Sequence, residues 1–480
     1  MGERWRLRAT PADLAAEYRA RGWWDDTTVG TLVADGLAAM GSAALTVRSE
    51  VRPWRGTLGD LDRAARSLAS ALRARGVGPG DAVVLQLPNW FEAGVAFAAA
   101  SYLGAVVVPV VHFYGPKEVG YILDVVEPDV IITADRFART DHLEMYQALL
   151  ADRDGVEWLV ADSPDTGPLP DRATAVSGLL DGEPLEAPLA VDPDAPAVVG
   201  FTSGTTRNPK GVVHSHRSIV FEARQLEAVY PSDGPAPITG SPMGHFMGML
   251  NALLIPLIKH QPVHLIDKWD PGVVLASMRA EGLGVSGGAP YFLTSLLDHP
   301  DFTDEHLALM PYAGLGGAAV PLAVTERAKS LGIKVFRSYG STEHPSITAT
   351  LLSDPEDKRL ATDGSVLPGV EMRLDEEGQI LSRGPDCFVG YTDRELTEAA
   401  FDADGWYHTG DVGVLDADGY LTISDRLSDV IIRGGENISA LEVEDVLLGL
   451  DGLAEVTVVA APDARLGEHA AAVVRVQPGA

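Results

Sequence analysis

Residues 197–211, with the sequence AVVGFTSGTTRNPKG, combine groups that can bind phosphate. An apolar run with the pattern of a buried strand ends at Thr202, and small hydroxyl residues and a glycine follow it before Lys210. Such residues let N–H groups and hydroxyls approach phosphate oxygens closely, and the lysine supplies compensating charge. The alternative is an exposed polar turn, which most clusters of these residues form. The spacing Gly-x4-Gly-Lys-Ser/Thr is absent, so the sequence disfavours a P-loop ATPase.

Further segments with chemical potential follow in order along the chain. They are GLGGAAVP (314–321), SYGSTEHP (338–345), WYHTGDVG (406–413) and ISDRLSDVIIRGGENISALEVEDVL (423–447). Glu343 carries a carboxylate, which binds a hard cation well. Without the other segments, however, Glu343 can be interpreted as a solvated surface acid. Residues 409–411 can likewise be interpreted as an ordinary turn.

In this order, the five segments resemble those of the adenylate-forming superfamily, which includes acyl-CoA synthetases, nonribosomal-peptide adenylation domains and beetle luciferases. The resemblance runs from about residue 55 to the end of the sequence. It implies that Tyr339 stacks on adenine, that Thr342 meets the α-phosphate and that Glu343 holds Mg2+. It also implies that Asp411 binds both ribose hydroxyls and that Arg426 contacts the ribose-phosphate region.

The resemblance therefore implies a set of site residues. The expected catalytic residues are Lys210, Thr342, Glu343 and Arg426, with Glu343 also the metal ligand. The expected ATP and AMP site consists of Thr202, Ser203, Gly204, Thr205, Thr206, Lys210, Gly316, Gly317, Ala318, Ser338, Tyr339, Gly340, Ser341, Thr342, Asp411 and Arg426.

The acid and the thiol are expected at other segments of the chain. The acyl-binding residues implied are His245, Phe246, Met247, Gly314 and Gly340. The CoA-binding residues implied are Arg433, Gly434, Gly435, Glu436 and Lys268, with Ser428 as the hinge. Two alternatives stay open: His245 can be a buried histidine satisfied by a backbone carbonyl, and Lys268 can be a surface lysine whose stem covers apolar neighbours.

The resemblance implies an ATP- and Mg2+-dependent carboxylic acid–CoA ligase that forms an acyl-adenylate and then an acyl-CoA. The acyl-lining stretches, such as SPMGHFMGML (241–250), contain no Lys or Arg, which favours an aliphatic or alicyclic acid over a dicarboxylate or an amino acid. The alternatives are transfer of the acyl group to a carrier protein, and a catalytically impaired relative that only binds an acyl-adenylate.

Several positions depart from the family pattern. Ala319 stands where many members have proline, Arg207 replaces a glycine, and Ser428 replaces the usual Asp or Lys of the hinge. The family's C-terminal Gly-Lys motif has no match in the chain, so we expect an incomplete small domain. A missing preorganised cation costs about 10²–10³ in rate, so we expect slow adenylation with retained nucleotide binding.

The pattern of elements predicts an α/β protein. Thr57 and Asp60 form a capping pattern before a helix that ends at Gly76, and strands are predicted at 82–87, 105–110 and 129–133. Short β-branched runs alternating with helices are typical of a mainly parallel sheet. We expect an N-terminal adenylate-forming domain of packed sheets and helices at 1–425 and the start of a mobile C-terminal domain at 426–480. The Pro-, Asp- and Gly-rich segment 163–196 predicts an exposed connection between subdomains, and residues from 404 predict hairpins.

Composition limits the partners. The 480 residues include 68 acidic and 37 basic ones, a net charge of −31, which disfavours binding to nucleic acid or anionic lipid. The single cysteine, Cys387, excludes an internal disulfide. The start lacks the apolar core of an export signal, and Gly104 and Pro109 divide the uncharged stretch 94–111 into a predicted buried helix and strand. We expect a cytoplasmic protein without an integral membrane segment, with homo-oligomerisation left open.

Overall fold

Helices and strands alternate along most of the chain in a computed structural model. The structure describes residues 4–5, 7–163, 166–202, 208–285, 287–427, 431–433, 436–448, 450, 452–463 and 467–476. The α-helices in this part of the chain are α1 (Ala12–Ala20), α2 (Val29–Ala39), α3 (Leu58–Ala74), α4 (Phe91–Tyr102), α5 (Pro116–Val126), α6 (His142–Leu149), α7 (His216–Val229), α8 (Phe246–Met249), α9 (Ile255–Ile258), α10 (Pro271–Glu281), α11 (Pro290–Leu297), α12 (Asp304–Ala308), α13 (Leu322–Ser330), α14 (Glu356–Ala361), α15 (Arg394–Ala400) and α16 (Ala440–Leu448).

The strands form several sheets. They are β1 (Ala44–Arg48), β2 (Trp54–Thr57), β3 (Ala82–Gln86), β4 (Val106–Pro109), β5 (Val130–Ala134), β6 (Arg136–Phe137), β7 (Thr140–Asp141), β8 (Glu157–Ala161), β9 (Ala173–Ala175), β10 (Pro196–Thr202), β11 (Lys210–Ser215), β12 (Ile238–Thr239), β13 (Val263–Ile266), β14 (Gly287–Gly288), β15 (Tyr312–Leu315), β16 (Lys334–Tyr339), β17 (Thr348–Ala349), β18 (Ser365–Val366), β19 (Glu371–Leu374), β20 (Gln379–Arg383), β21 (Gly390–Tyr391), β22 (Tyr407–Leu415), β23 (Leu421–Arg426), β24 (Ile431–Arg433), β25 (Glu436–Ile438), β26 (Leu453–Asp463) and β27 (Gly467–Val476). A 3-10 helix, Val176–Leu179, and a π-helix, Leu250–Leu254, complete the set.

Contacts divide the chain into two units. Unit 1 contains Met1–Ser286, Thr342–Pro345 and Pro385–Ala399, and unit 2 contains Gly287–Ser341, Ser346–Gly384 and Ala400–Ala480. Two short segments from the second half of the sequence, 342–345 and 385–399, therefore belong to the unit that the first half builds.

The main sheet of unit 1 has eight strands in the order β21-β11-β10-β4-β3-β5-β8-β9. Its centre is parallel, whereas β10, β11 and β21 pair antiparallel at one end. Successive side chains of a strand point to opposite faces, and Val83 and Val84 are both fully buried in different apolar clusters. Both faces of this sheet are therefore covered, which explains the near-continuous apolar strands of the sequence. A second sheet, β12-β13-β1-β2, also belongs to unit 1.

The described residues of unit 2 form three sheets. Their orders are β14-β15-β16-β17-β18, β19-β20-β22-β23 and β25-β24-β27-β26. The last one has its own small apolar cluster, in which Ile431, Ala440 and Val458 are buried. The α/β fold class predicted from the sequence is confirmed.

The predicted elements agree with the structure to within about two residues. The stretch 94–111 holds the end of α4 and all of β4, as expected of a buried helix and strand. Among the described residues, no helix is both long enough and apolar enough to cross a membrane. The hairpin β22–β23 confirms the turns predicted after residue 404. The segment 163–196 is more than the predicted connection, because β9 extends the main sheet beside β8 within unit 1.

Helix α3 depends on its N-terminal cap. The Thr57 Oγ1 accepts from the Asp60 N–H at 3.2 Å, and the Asp60 carboxylate accepts from the Thr57 N–H at 2.8 Å. This capping box pairs two N–H groups that helix geometry leaves without partners.

We expect Thr57→Ala to lower the free energy of unfolding by about 1 kcal/mol because it removes one half of this box. Scanning calorimetry on the variant checks this through the midpoint temperature. Thr57→Ser keeps the hydroxyl and serves as the control. Equal midpoints for the Ala variant and the unmodified chain would show that the cap contributes nothing.

Candidate active site

The predicted phosphate-binding segment lies between two paired strands of unit 1. β10 ends at Thr202 and β11 begins at Lys210, and these two residues are opposite each other in the antiparallel register. The Lys210 side chain is exposed. The predicted residues Ser203, Gly204, Thr205 and Thr206, together with Arg207, lie outside the described residues.

Tyr391 contacts two of the predicted catalytic residues. Its hydroxyl donates to Glu343 Oε1 at 2.8 Å, and the Lys210 Nζ lies 5.3 Å from the centre of its ring. The Glu343 side chain is only 8% exposed, so its interpretation as a solvated surface acid is wrong. The main chain of Glu343 is also held, because the Phe388 N–H donates to its carbonyl at 2.8 Å. Unit 1 therefore brings Lys210 and Glu343 to the same aromatic ring.

His214 on β11 holds the neighbouring residue, Thr342. Its Nε2 lies 2.7 Å from the Thr342 carbonyl oxygen, and its Nδ1 lies 3.1 Å from the Ser218 Oγ. A carbonyl can only accept, so Nε2 carries the proton. Complete burial lowers the pKa of His214 to about 4, so the ring is neutral near pH 7. Its Nδ1 is then an acceptor that shares the single Ser218 hydroxyl proton with the Ser215 carbonyl, which lies 3.0 Å from the Ser218 Oγ.

The predicted acyl-binding segment packs against the same strands. The Phe246 ring is 3% exposed and lies 4.7 Å from the His214 ring, centre to centre. A Cβ on Gly200 would lie 3.1 Å from the Thr342 methyl and 3.3 Å from the Phe246 ring, so this glycine lets β10 approach both. The structure thus places Phe246 near Thr342 across Gly200. Met247 is half-buried. His245 has substantial solvent exposure, yet the groups packed around its ring partly desolvate it and lower its pKa, so both interpretations of this histidine stay open.

The predicted nucleoside contacts lie together in unit 2. The Asp411 side chain is buried, and its carboxylate accepts from the Tyr339 hydroxyl at 2.7 Å and from the Arg426 Nε at 2.9 Å. Arg426 lies opposite Asp411 in the β22–β23 register. Burial and the negative charge of Asp411 raise the pKa of Tyr339 well above its usual range, so its phenol remains a donor.

The predicted glycine turn follows β15 in the same unit. A Cβ on Gly316 would lie 2.5 Å from the Ser338 Oγ, so only glycine allows this approach to β16. Gly317 has φ of +73°, a conformation that favours glycine. The turn at 316–318 and Ser338 are therefore neighbours. Ala318 is exposed.

The remaining predicted acyl and nucleotide residues of unit 2 lie at strand ends. A Cβ on Gly314 would lie 2.5 Å from the Phe336 ring, so this ring covers the place of a side chain at 314. Gly340 and Ser341 follow the end of β16 and are half-buried.

The predicted CoA residues are divided between the two units. Lys268 follows β13 in unit 1 and has an exposed side chain. Arg433 and Glu436 lie opposite each other in the β24–β25 pairing of unit 2. The predicted CoA residues Gly434 and Gly435 and the hinge residue Ser428 lie outside the described residues.

The donor set suits a magnesium ion that is shared with a substrate. No group of three His, Cys, Asp or Glu side chains in the described part of the chain could hold a metal ion by itself. Mg2+ commonly uses one or two carboxylates and completes its shell with water and substrate phosphates. The single buried carboxylate of Glu343, with one oxygen already oriented by Tyr391, fits this pattern.

Three side chains in these arrangements are absent from the predicted set: Tyr391, His214 and Phe336. The first two contact predicted residues that are 48 and 128 positions away in sequence, and spacing alone carries no signal of such contacts. His214 lies shortly after the predicted phosphate-binding segment 197–211, whose pattern indicates only the hydroxyl residues and the lysine.

Known proteins are similar to this chain in sequence. The family described as AMP-binding enzyme matches residues 43–392. The 3-[(3aS,4S,7aS)-7a-methyl-1,5-dioxo-octahydro-1H-inden-4-yl]propanoyl:CoA ligase of Rhodococcus jostii (strain RHA1) is 35% identical over 451 residues, covering 88% of this chain and 84% of that protein. The medium-chain fatty-acid–CoA ligase of Escherichia coli (strain K12) is 31% identical over 474 residues, covering 96% of this chain and 83% of that protein.

Solved structures agree with the fold. The crystal structure of ATP-bound MatB from Rhodopseudomonas palustris superposes with a TM-score of 0.82 at 26% identity. The match covers 95% of this chain and 90% of that one.

We expect the neutral, buried His214 to make stability fall in acid. Its pKa is about 4 in the folded chain, below the ordinary value of about 6.5, so the unfolded state binds more protons between these values. The stabilisation is complete above pH 6.5 and is lost as the pH falls towards 4. Between pH 7 and pH 5 the loss from this residue is about 2 kcal/mol.

Replacing His214 by Gln should remove this part of the acid sensitivity while keeping a donor for the Thr342 carbonyl. The measurement is the midpoint of thermal unfolding at pH 7 and pH 5. His260→Asn is the control, because His260 is exposed and its φ of +52° is one that asparagine tolerates. An unchanged drop between the two pH values in the His214 variant would contradict the assignment.

Proposed function

The chain belongs to the AMP-binding enzyme family, and from this membership we propose that it is an ATP-dependent carboxylic acid–CoA ligase. The observation that carries the proposal is that Tyr391 contacts both Lys210 and Glu343. The relatives of the chain include proteins named as CoA ligases. A cation and a carboxylate at one ring suit a triphosphate that binds as its metal complex.

The proposed reaction has two halves. In the first, a carboxylate oxygen of the acid attacks the α-phosphorus of ATP, and the bond from that phosphorus to the bridging oxygen of pyrophosphate breaks. Pyrophosphate leaves with the electron pair, and an acyl-adenylate remains. In the second half, the CoA thiolate attacks the acyl carbon and AMP leaves, so the thiol proton passes to solvent.

In the adenylation half-reaction, the protein positions the reactants and neutralises charge, because the proposed step forms no covalent bond between the chain and the substrate. We assign the departing phosphates to Lys210, Thr202 and the loop residues Ser203, Gly204, Thr205 and Thr206. Thr342, held by His214, is assigned to the α-phosphate. When bound at Glu343, Mg2+ supplies positive charge that offsets the phosphate oxygens.

The nucleoside is assigned to unit 2. Each carboxylate oxygen of Asp411 accepts one protein hydrogen bond and keeps a free lone pair, which leaves capacity for the two ribose hydroxyls. Tyr339 is assigned to the adenine face and Arg426 to the ribose-phosphate region. The turn Gly316–Gly317–Ala318 with Ser338, and the strand-end residues Gly340 and Ser341, complete the proposed nucleotide site.

We propose an aliphatic or alicyclic acid as the substrate. Phe246 is apolar and buried, Met247 is apolar and adaptable, and residues 241–250 contain no cation that could pair with a second carboxylate. The names of two relatives point the same way, since one acts on a medium-chain fatty acid and the other on a ring-bearing propanoyl compound. His245, Gly314 and Gly340 are assigned to the same acyl site.

We propose CoA as the acceptor thiol, bound by Arg433, Gly434, Gly435, Glu436 and Lys268. Relatives named as CoA ligases support it. Ser428 as hinge, domains at 1–425 and 426–480 and a cytoplasmic location stay predictions of the sequence, and homo-oligomerisation stays open.

The experiment is incubation of the chain with Mg-ATP, CoA and a panel of straight-chain, alicyclic and aromatic acids. Mass spectrometry then reads AMP, acyl-AMP and acyl-CoA. The proposal requires acyl-CoA and AMP in equal amounts with at least one aliphatic or alicyclic acid. Formation of acyl-AMP that CoA never consumes would contradict CoA as the acceptor, and the absence of AMP with every acid would contradict the ligase.

We expect Asp411→Asn to raise the KM for ATP about 10–100-fold, because a neutral amide loses charge-assisted hydrogen bonds worth about 1.5–3 kcal/mol. Initial rates of acid-dependent ATP–pyrophosphate exchange give this KM. The control is Asp416→Asn, which removes another carboxylate of the β22–β23 hairpin, one that pairs with Lys358. Equal KM values for both variants would remove Asp411 from the nucleotide site.

A further inference from the structure

We propose that Tyr391 is a positioning residue that orients the Glu343 carboxylate for the metal–ATP complex and holds Lys210 against its own ring. The inference rests on the proposed function and extends it to a residue outside the predicted site. Tyr391 contacts the metal-binding carboxylate and the phosphate-binding lysine, and it acts through both of them.

The contact with Glu343 fixes one oxygen of the carboxylate. The Tyr391 hydroxyl donates to Oε1 at 2.8 Å, and the two side chains are 4% and 8% exposed. A phenol that donates to a carboxylate forms a charge-assisted hydrogen bond, which is strong where water is largely excluded. The Tyr391 hydroxyl occupies Oε1, so Oε2 is the carboxylate oxygen that does not take part in this hydrogen bond. The carboxylate therefore presents one defined oxygen to a cation.

The contact with Lys210 follows from strand register. Tyr391 is opposite Val212 in the antiparallel pairing of β11 and β21, and Lys210 lies two residues before Val212 on the same face. Diagonal neighbours of this kind are within reach of aromatic and long side chains. The Lys210 Nζ lies 5.3 Å from the ring centre, within the range of a cation–π contact. The same ring thus contacts Lys210 across its face and Glu343 through its hydroxyl.

Tyr391 is itself well held. Its N–H donates to the Thr397 Oγ1 at 2.8 Å, and its ring packs edge-on against Phe388 at 4.8 Å between centres. Phe388 in turn donates its N–H to the Glu343 carbonyl. The segment 388–391 therefore holds Glu343 by main chain and side chain together, and a ring in this setting keeps its position when only its hydroxyl is removed.

The test is Tyr391→Phe, which keeps the ring beside Lys210 and removes the hydroxyl. Calorimetry measures ATP affinity with Mg2+ and with EDTA. We expect the gain in affinity that Mg2+ provides to fall about tenfold in the variant, as expected for loss of a hydrogen bond to a charged group. Affinity for ATP in EDTA should change less than about twofold, because Lys210 keeps its aromatic neighbour.

A second readout separates the two half-reactions. Acid-dependent ATP–pyrophosphate exchange should fall about tenfold in Tyr391→Phe at limiting Mg2+. Formation of acyl-CoA from a presynthesised acyl-adenylate and CoA should be unchanged, because that step involves neither the metal nor pyrophosphate. A general loss of structure would slow both half-reactions.

The matched control is Tyr146→Phe. The Tyr146 hydroxyl donates to Gln86 Oε1 at 2.8 Å in the fully buried core of the same unit, so this variant loses a comparable hydrogen bond away from the site. It should keep the wild-type effect of Mg2+ on ATP binding. Identical Mg2+ effects in the two Tyr→Phe variants would overturn the inference.

A double-mutant cycle with Glu343→Gln keeps the inference testable if Tyr391→Phe is destabilised. Because Tyr391 acts through Glu343, its substitution should add no further loss of Mg2+-dependent affinity in the Glu343→Gln background. Additive losses would contradict the proposal. If the unmodified chain shows acid-dependent exchange but the losses in the cycle are additive, only the inference about Tyr391 fails. If the unmodified chain shows no exchange with any acid, both the proposed function and the inference fail.

Discussion

The antiparallel pairing of β11 with β10 and β21 is the constraint on which the site in unit 1 depends. It joins two consecutive strands, 196–202 and 210–215, to residues 390–391, which lie far along the sequence, in fixed register. The register places Tyr391 diagonal to Lys210, and His214 on the same strand reaches the Thr342 carbonyl. A shift of one residue would turn every one of these side chains to the other face of the sheet. The positions of Lys210, Tyr391 and His214 in the proposed site are therefore a consequence of strand pairing.

Charge imposes a second constraint. A chain with a net charge of −31 repels a triphosphate, so its binding site must offset that repulsion locally. In each unit, the carboxylate that we assign to the nucleotide or its metal is engaged by donors: Glu343 by Tyr391 in unit 1, and Asp411 by Tyr339 and Arg426 in unit 2. Donors that orient a carboxylate also weaken its repulsion of phosphate. Lys210 keeps its charge exposed for a ligand.

Much of this arrangement could be predicted from the sequence. The capping pair Thr57 and Asp60 and the strand ending at Thr202 are local patterns, and local patterns determine local structure. The glycine turn at 316–317 is implied by the family resemblance. The segment 163–196 is predicted only as an exposed connection, because composition alone does not reveal that β9 pairs with β8. Tyr391 and His214 escaped prediction for the same physical reason. Their roles arise from long-range pairing, and a single sequence carries no record of which strands become neighbours.

The central claim is that the acid is activated by bonding its own oxygen to the α-phosphorus of ATP. The most direct test is to supply an acid whose carboxylate carries two 18O atoms and to follow that label by mass spectrometry through one turnover with ATP and CoA. The account predicts AMP that contains one 18O atom and acyl-CoA that contains the other. Label in inorganic phosphate or ADP, or AMP without any 18O, would contradict it.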